Sequence, residues 1–385
     1  MSAELGNDVG GGAAGPRHPG RLMRAVVMQD GKLRVDELPE PVPGPGEVLV
    51  DVLACGICGS DLHCAAHGPA FNAALKGAVG AELLDLSHPI VFGHEFVGRV
   101  VSYGPGTQAR IPVGRRVVSM PMLLHAQPVL LGFAGPEAPG GYAERMLLSE
   151  PLLIEVPDHV PTDVAALTEP LAVAYRSVAR ADLGGDDVPL VVGCGPIGLA
   201  VIAVLKMTGI SPIVACDFSS ERRAIAQRLG ADILIDPAEA SPSEALMAAA
   251  ATDAPARMAA PTALLGQLRI RPTVTFECVG APGLIQQLIS GVPAGSRIVV
   301  AGISFGTDHF EPAQAVLKEL DIRFSLYYTS EQFAETFTRL AAGDFEVAAL
   351  LTDTVGLDGV ADAFARLSTS PHDAKILLDP TRRAR

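Results

Sequence analysis

Three observations predict an α/β protein in which a doubly wound parallel sheet joins a separate, mainly β unit. Residues 188–217 run strand, glycine turn, helix, strand, acid. The β/α alternation continues through apolar runs at 233–235, 274–279 and 297–301. Ahead of it, residues 23–157 carry short apolar runs punctuated by Gly and Pro, the pattern of an all-β region.

The first observation has a chemical meaning. Leu190–Val192 leads into Gly193-x-Gly195-x-x-Gly198, a wholly apolar helical run follows, and Gly209 stands where that helix would stop. Gly193 permits a sharp turn off the strand. Gly195 leaves room for a pyrophosphate beside the backbone. Gly198 lets the helix pack close to the sheet. Pro196 and Ile197 lie within the turn and belong to the same site. The helix N-terminus offers unpaired N–H groups to the phosphates. Asp217 follows Gly198 by 19 residues, where its carboxylate can accept from both ribose hydroxyls. This is a Rossmann-type dinucleotide site, and the acid favours NAD over NADP. Arg222 and Arg223 are basic residues just past the acid, of the kind that can accept a 2′-phosphate.

Residues 188–205 lack charge for 18 positions, but three Gly and a Pro break any membrane helix there. Residues 117–136 are uncharged for 20 positions and are interrupted by three prolines, His125 and Gln127. A net charge of −14 over 385 residues argues against a nucleic-acid surface. Six cysteines form no secreted-type disulfide framework. Residues 1–22, Gly- and Ala-rich without an apolar signal run, read as a disordered tail, and the protein reads as cytoplasmic.

In chain order, 23–28 and 48–53 read as strands, the second delivering a dense polar loop, Cys55 to His63. Residues 64–90 read as a long loop or short helical segment. A strand follows His94-Glu95. Thr162 reads as the cap of a helix through about Ala181, and Ser220 as the cap of one ending at Gly230. Residues 237–271 suggest one or two helices and a variable loop. Thr329 with Gln332 forms a capping box, its helix ending before Gly343. A helix near 359–367 and a strand at 375–379 close the chain.

A second constellation lies outside the parallel sheet. Cys58, Ser60, His63, His94, Glu95 and Glu169 mix metal donors with proton-transfer groups. Cys, His and carboxylate form a Zn²⁺ set, and three protein ligands leave a fourth position for chemistry. Cys55-x-x-Cys58 lacks a thioredoxin-like context, so Cys55 reads as a packed thiol. Glu95 has a competing role as a residue that orients a ligand. For Ser60 and His63 the competing role is loop capping.

The runs GICGSDLH (56–63), GHEFVGRV (93–100), GGYAE (140–144), EPLAVA (169–174) and GCGPIGL (193–199) resemble the zinc-dependent medium-chain alcohol/polyol dehydrogenase family in order and spacing. The resemblance covers nearly all of residues 23–385. It implies a GroES-like catalytic domain at 23–170 and 323–385 and a Rossmann NAD-binding domain at 171–322. It also implies a homodimer or homotetramer. It makes Cys58 and His94 zinc ligands, with Glu95 or Glu169 completing the site and the two exchanging as it opens. It places Val173 and Val279-Gly280 near the nicotinamide. The family's alcohol branch has cysteine at the Glu169 position, so Glu169 leans toward the polyol and diol branch. The four-cysteine structural zinc lobe common in the family is not expected, because residues 96–193 contain no cysteine. One zinc per chain is therefore expected. The gap from His63 to His94 is long, and Gly68-Pro-Ala-Phe71 is similar to butanediol dehydrogenases, relatives that keep the structural zinc.

The reaction implied is hydride transfer between a secondary alcohol or polyol and NAD. Zinc acidifies the substrate hydroxyl. Ser60 takes its proton and passes it through the cofactor ribose to His63, which exchanges it with solvent. A zinc-free reductase and a non-enzymatic NAD-binding sensor are the alternatives, and the full ligand set argues against both. The pocket walls are expected from 64–90, 117–136 and 303–311, with the substrate unread.

Overall fold

In the computed structural model, residues 21–80, 82–370 and 372–383 are described. Most of the expected tail lies outside them; Leu22 opens the first strand. Strands β1 (Leu22–Gln29) and β2 (Lys32–Pro39) form a hairpin. Then come β3 (Glu47–Gly56), helix α1 (Gly59–Val79), β4 (Glu95–Tyr103), β5 (Arg116–Ser119), the β6–β7 ladder (Met122–Leu123, Val129–Leu130), β8 (Arg145–Ser149) and β9 (Leu153–Glu155). The short helix α2 (Thr162–Ala165) and α3 (Thr168–Ala181) lead into the second unit.

There β10 (Val188–Val192), α4 (Pro196–Met207), β11 (Val214–Cys216), α5 (Ser220–Arg228), β12 (Ile233–Ile235), α6 (Pro242–Ala250), β13 (Thr273–Glu277), α7 (Leu284–Gly291), β14 (Arg297–Val300), α8 (Pro312–Leu317) and β15 (Asp321–Phe324) alternate as expected. All six strands run parallel, in the order β12-β11-β10-β13-β14-β15. The order reverses between β10 and β13, the switch point at which α/β sheets bind ligands. After α9 (Ser330–Ala342) the chain returns to the first unit through β16 (Leu351–Val355), α10 (Val360–Thr369) and β17 (Lys375–Leu378). A seven-stranded sheet runs β16-β17-β3-β4-β5-β9, with β8 paired to β3.

The local reasons are legible. In α4, Gly198 to Leu205 are buried without a break, so this helix is apolar all round because it is packed all round. Gly193 takes φ +90°, and a Cβ on Gly198 would sit 1.8 Å from the Gly193 carbonyl oxygen. The third glycine thus lets the helix start directly against the turn. The Thr329–Gln332 capping box forms in both directions, and Gly343 ends α9 in the left-handed region.

Four expectations need correction. Of the segment expected as a loop or short helix, 64–90, the part through Val79 belongs to α1, a 21-residue helix beginning at Gly59, with a kink at His67 just before Pro69. Ser60 and His63 therefore stand on the first turns of a helix, not in a loop. Thr162 does not cap a helix: Pro161 holds that position, and the Thr162 hydroxyl accepts from Arg116 Nη1 instead. The helix expected over 162–181 is two, α2 and α3. Ser219, not Ser220, caps α5, accepting from Arg222 N at 3.1 Å. The parallel sheet includes β15 through Phe324, so a boundary at 322 falls inside a strand.

Candidate active site

The polar cluster sits where β3, α1, β4 and β17 converge. β3 ends at Gly56, Cys58 precedes α1, and His94-Glu95 opens β4. A Cβ on Gly56 would lie 2.0 Å from Glu95 Oε2, so the glycine makes room for that carboxylate. Cys58 Sγ, a ring nitrogen of His94 and a carboxylate oxygen of Glu95 all lie within 4.8 Å of one another. This is one soft, one borderline and one hard donor at a buried point, which fits a zinc ion.

The surroundings hold these donors in place. Asp61 is fully buried; its Oδ2 accepts from Cys58 N at 3.2 Å and from Tyr142 Oη at 2.7 Å. Its Oδ1 lies 3.3 Å from His94 Nδ1, close enough to attract but out of line for a hydrogen bond. That contact leaves Nε2 as the outward nitrogen, 3.4 Å from Ser60 Oγ. A carboxylate behind a ligating histidine fixes its ring and tautomer. Burial works against a charge on His94, but Asp61 and then Cys58 leave its pKa raised well above the ordinary value.

Glu95 is paired. Lys375 Nζ donates to both of its oxygens at 2.7 Å and to Ile57 O at 3.0 Å, with both side chains essentially out of solvent. Glu169, buried on α3, accepts from Tyr328 Oη at 2.9 Å. Burial pushes its pKa up to about 7, His94 and Tyr328 pulling it down and Glu95 pushing it further up. Cys55 is fully buried, and burial followed by the charges of Asp61 and Glu95 holds its thiol protonated, which suits packing and not redox exchange.

Rings wall the cluster. Phe133 lies 5.1 Å from the His94 ring between centroids, and Phe71 stacks on Phe133 at 6.3 Å. Phe305, on the segment after β14, packs 5.3 Å from Phe71 and 5.8 Å from His63. The three stretches expected as pocket walls thus meet, and the parallel-sheet unit reaches His63 through Phe305. His63 is exposed; burial and then the charge of His67 lower its pKa below 6.5.

At the dinucleotide turn, Asp217 Oδ2 accepts from Cys194 N and Oδ1 from Ser219 N, both at 2.8 Å. No atom lies within 4 Å of where a Gly195 Cβ would stand. Pro196 and Ile197 form the first turn of α4. Val173 is half-buried on α3, and Val279 is 49% exposed with its Cγ2 over Gly193. Glu277 Oε1 accepts from Val279 N and Gly280 N at 2.7 Å, clamping that turn. Arg222 Nη2 donates to the carbonyls of Ser370 and Asp373, while Arg223 Nη1 binds Asp217 O, Phe218 O and Asp236 Oδ2.

Sequence reasoning missed Asp61, Tyr142, Glu277, Tyr328 and Lys375. Asp61 stands three residues after Cys58, and Lys375 is the one charge in an apolar closing strand; each was a readable signal. Tyr142 stood inside the GGYAE run, while Glu277 and Tyr328 gave no signal.

Parallel sheet, β unit and polar cluster together define a zinc-binding dehydrogenase architecture, and comparison with known proteins agrees. A family model described as zinc-binding dehydrogenase matches residues 196–342, and the alcohol dehydrogenase GroES-like domain matches 44–158. The chain is 33% identical over 359 residues to a (R,R)-butanediol dehydrogenase of Bacillus subtilis, covering 90% of this chain and 96% of that one. It is 29% identical to sorbitol dehydrogenase of Gallus gallus, covering 94% and 98%. The crystal structure of 2R,3R-butanediol dehydrogenase from Bacillus subtilis superposes with a TM-score of 0.76 at 31% identity, over 93% of this chain and 99% of that one. The chain belongs to the zinc-dependent medium-chain alcohol/polyol dehydrogenase family. It is an oxidoreductase that uses zinc and a nicotinamide dinucleotide, and among the described residues no helix is long and apolar enough to cross a membrane.

Proposed function

We propose that this chain oxidises short secondary alcohols and vicinal diols with NAD, and reduces the matching ketones, at a zinc held by Cys58, His94 and Glu95. The observation that carries this is the convergence of those three donors beside Ser60 under a wall of phenylalanine rings. Zinc bound there supplies Lewis acidity that lowers the pKa of a hydroxyl. Glu169, next to the cluster and near neutrality in charge, is the carboxylate that exchanges with Glu95.

The chain's own groups handle the proton. Ser60 accepts it from the substrate hydroxyl as it gives up its own hydroxyl proton along a relay to His63. His63 stands three residues along α1, on the same helix face, and its exposed ring releases the proton to water. Its lowered pKa keeps it neutral and receptive in mildly acidic solution. Asp61 and Tyr142 hold His94, and Lys375 offsets the Glu95 charge. Asp217 at the end of β11 selects NAD. Gly193, Gly195, Pro196, Ile197 and Gly198 cradle the pyrophosphate, Val173 and Val279 flank the nicotinamide, and Arg222 borders the adenosine end. The catalytic unit is residues 23–170 with the chain after Phe324, and the cofactor unit lies between.

One zinc per chain follows from this reading, with no structural zinc. A homodimer or homotetramer fits the exposed Val316, Leu317, Phe324 and Leu326 at and around edge strand β15. Six unpaired cysteines suit the cytoplasm. The test is zinc content together with an NAD-linked screen of secondary alcohols and diols. Protein purified without chelator should carry about one zinc per chain and lose activity when it is stripped. A zinc-free protein that still binds NAD but turns over no alcohol would sink the proposal.

A further inference from the structure

Helix α1 carries two histidines about one turn apart. His63 and His67 stand four positions from each other, the spacing that puts two side chains on one face of a helix. The kink at His67, where φ is −135° and ψ 29°, does not part them: their ring centroids lie 6.5 Å apart, with the planes inclined by 31°. Both residues are exposed. Among the described residues no hydrogen bond or ion pair engages a ring nitrogen of either. His88, His125 and His159, by contrast, each spend a ring nitrogen on Asp85, Glu47 or the Ala341 carbonyl.

Two free imidazoles at this spacing suit a divalent metal of borderline softness; the same spacing on a helix holds zinc in metalloproteases. Rotation of the exposed side chains about their torsions brings one nitrogen of each ring to a shared cation, and water completes its coordination. The donor type selects the ion. Imidazole takes Zn²⁺ and Ni²⁺, whereas Mg²⁺ and Ca²⁺ demand oxygen ligands. Two donors in water bind less tightly than the three converging donors of Cys58, His94 and Glu95, so this pair fills only after that cluster is full.

The position gives such an ion a consequence. His63 is the residue that passes the substrate's proton to water. A neutral imidazole has one nitrogen that accepts and one that already carries hydrogen. Metal binding occupies the accepting nitrogen, and the ring can then take up no proton. We propose that His63 and His67 form a second, weaker transition-metal site, and that Zn²⁺ or Ni²⁺ bound there inhibits alcohol oxidation by occupying the proton acceptor. The inhibition rests on the dehydrogenase reading above; the metal site stands on the histidine pair alone.

The test has a binding arm and a rate arm. Zinc-loaded wild type, His67→Gln and His63→Gln are dialysed against rising Zn²⁺, and bound zinc is counted. Wild type should take up about one further zinc per chain, and each variant should keep the first zinc and lose the second. Wild type and His67→Gln are then assayed with NAD and a secondary alcohol near neutral pH. Zn²⁺ and Ni²⁺ should inhibit wild type, Mg²⁺ should not, and brief chelation should restore the rate before the cluster is stripped. In His67→Gln the uninhibited rate should persist, and the zinc concentration for half-inhibition should rise at least about tenfold, since losing even a group that only orients a ligand costs about 10–100-fold in metal affinity. No second zinc up to millimolar concentration overturns the inference. So does a second zinc that either variant binds as tightly as wild type, or one that fills the pair without slowing oxidation. A wild type that turns over no secondary alcohol overturns the dehydrogenase reading and with it the inhibition, while the dialysis still decides the metal site.

Discussion

Replacing Lys375 with Met separates the two candidate carboxylate ligands. The substitution keeps most of the side-chain volume and removes the charge. It leaves Glu95, 0% exposed, without the ammonium that now donates to both of its oxygens at 2.7 Å. Breaking a buried pair from one side costs about 3–5 kcal/mol, because the surviving charge stays desolvated. At about 2 °C per kcal/mol for a cooperative unit of roughly two hundred residues, the melting temperature of the metal-stripped protein should fall by about 6–10 °C. A zinc ion beside Glu95 supplies the missing positive charge, so the zinc-loaded variant should lose less than about half as much. The assay is thermal unfolding of wild type and Lys375→Met, each with and without zinc. Lys375→Met/Glu95→Gln serves as the control: with both charges gone, it should recover most of the loss in the stripped form. An equal loss with and without zinc would mean that Glu95 does not sit beside the metal. The third-ligand role would then pass to Glu169.

Three further outcomes follow from the same geometry. His63 has its pKa lowered by burial and by His67, so its neutral, proton-accepting form persists below pH 6.5 and is lost as pH falls further. The wild-type oxidation rate should therefore decline only on that acid side, and His63→Ala should lose most rate near neutrality and least at alkaline pH, where hydroxide replaces the relay; superimposable pH–rate profiles would remove His63 from it. Asp217→Asn keeps the side chain's shape but loses the charge and one of two backbone acceptors; the NADP-to-NAD ratio of kcat/KM should rise at least about tenfold, and a fixed ratio would show that Asp217 does not select the cofactor. Gly198→Ala forces a methyl to within 1.8 Å of the Gly193 carbonyl oxygen; NADH affinity measured by fluorescence titration should drop sharply while zinc content stays at the wild-type level, and unchanged affinity would refute the close-packed turn.

The parallel sheet was legible because its signals are local. Gly193, Gly195 and Gly198 lie within one turn, and Asp217 lies one strand further on. Strands β10, β11, β12 and β14 are short, mostly apolar runs between breakers, and β13 is rich in β-branched residues. Helix α1 was not legible. Its residues alternate Ala, Gly, His and Pro69 with no apolar stripe, and only four of them are buried. It is held by few core contacts and by the Asn72 side chain, whose amide donates to Leu84 O and whose oxygen accepts from Leu84 N. Those four, Asp61, Cys64, Gly68 and Asn72, share one face but are polar or small, and hydrophobic periodicity cannot reveal a helix whose buried face is not apolar. The cap positions slipped by one because Ser219 and Ser220 are adjacent and both are competent; the one whose hydroxyl meets the Arg222 amide is decided by backbone dihedrals.

The site divides along the same line. Cys58, His94, Glu95 and Glu169 could be read because metal donors are scarce residue types with telling neighbours. Whether Glu95 or Glu169 carries the bond to metal could not be read, because that depends on charge balance across distant segments. Lys375 is 280 positions from Glu95, and Tyr328 is 159 from Glu169. The two carboxylates are held differently: one is offset by a full ammonium charge, the other by a neutral phenol that leaves its pKa near 7. The first is tied to that ammonium beside Cys58 and His94, while the second can take up a proton at little cost near neutral pH. Two buried carboxylates beside one cation do not both need to be charged at once. On the proposed reading Glu95 keeps the bond to metal and Glu169 exchanges with it, and the Lys375→Met comparison tests that division.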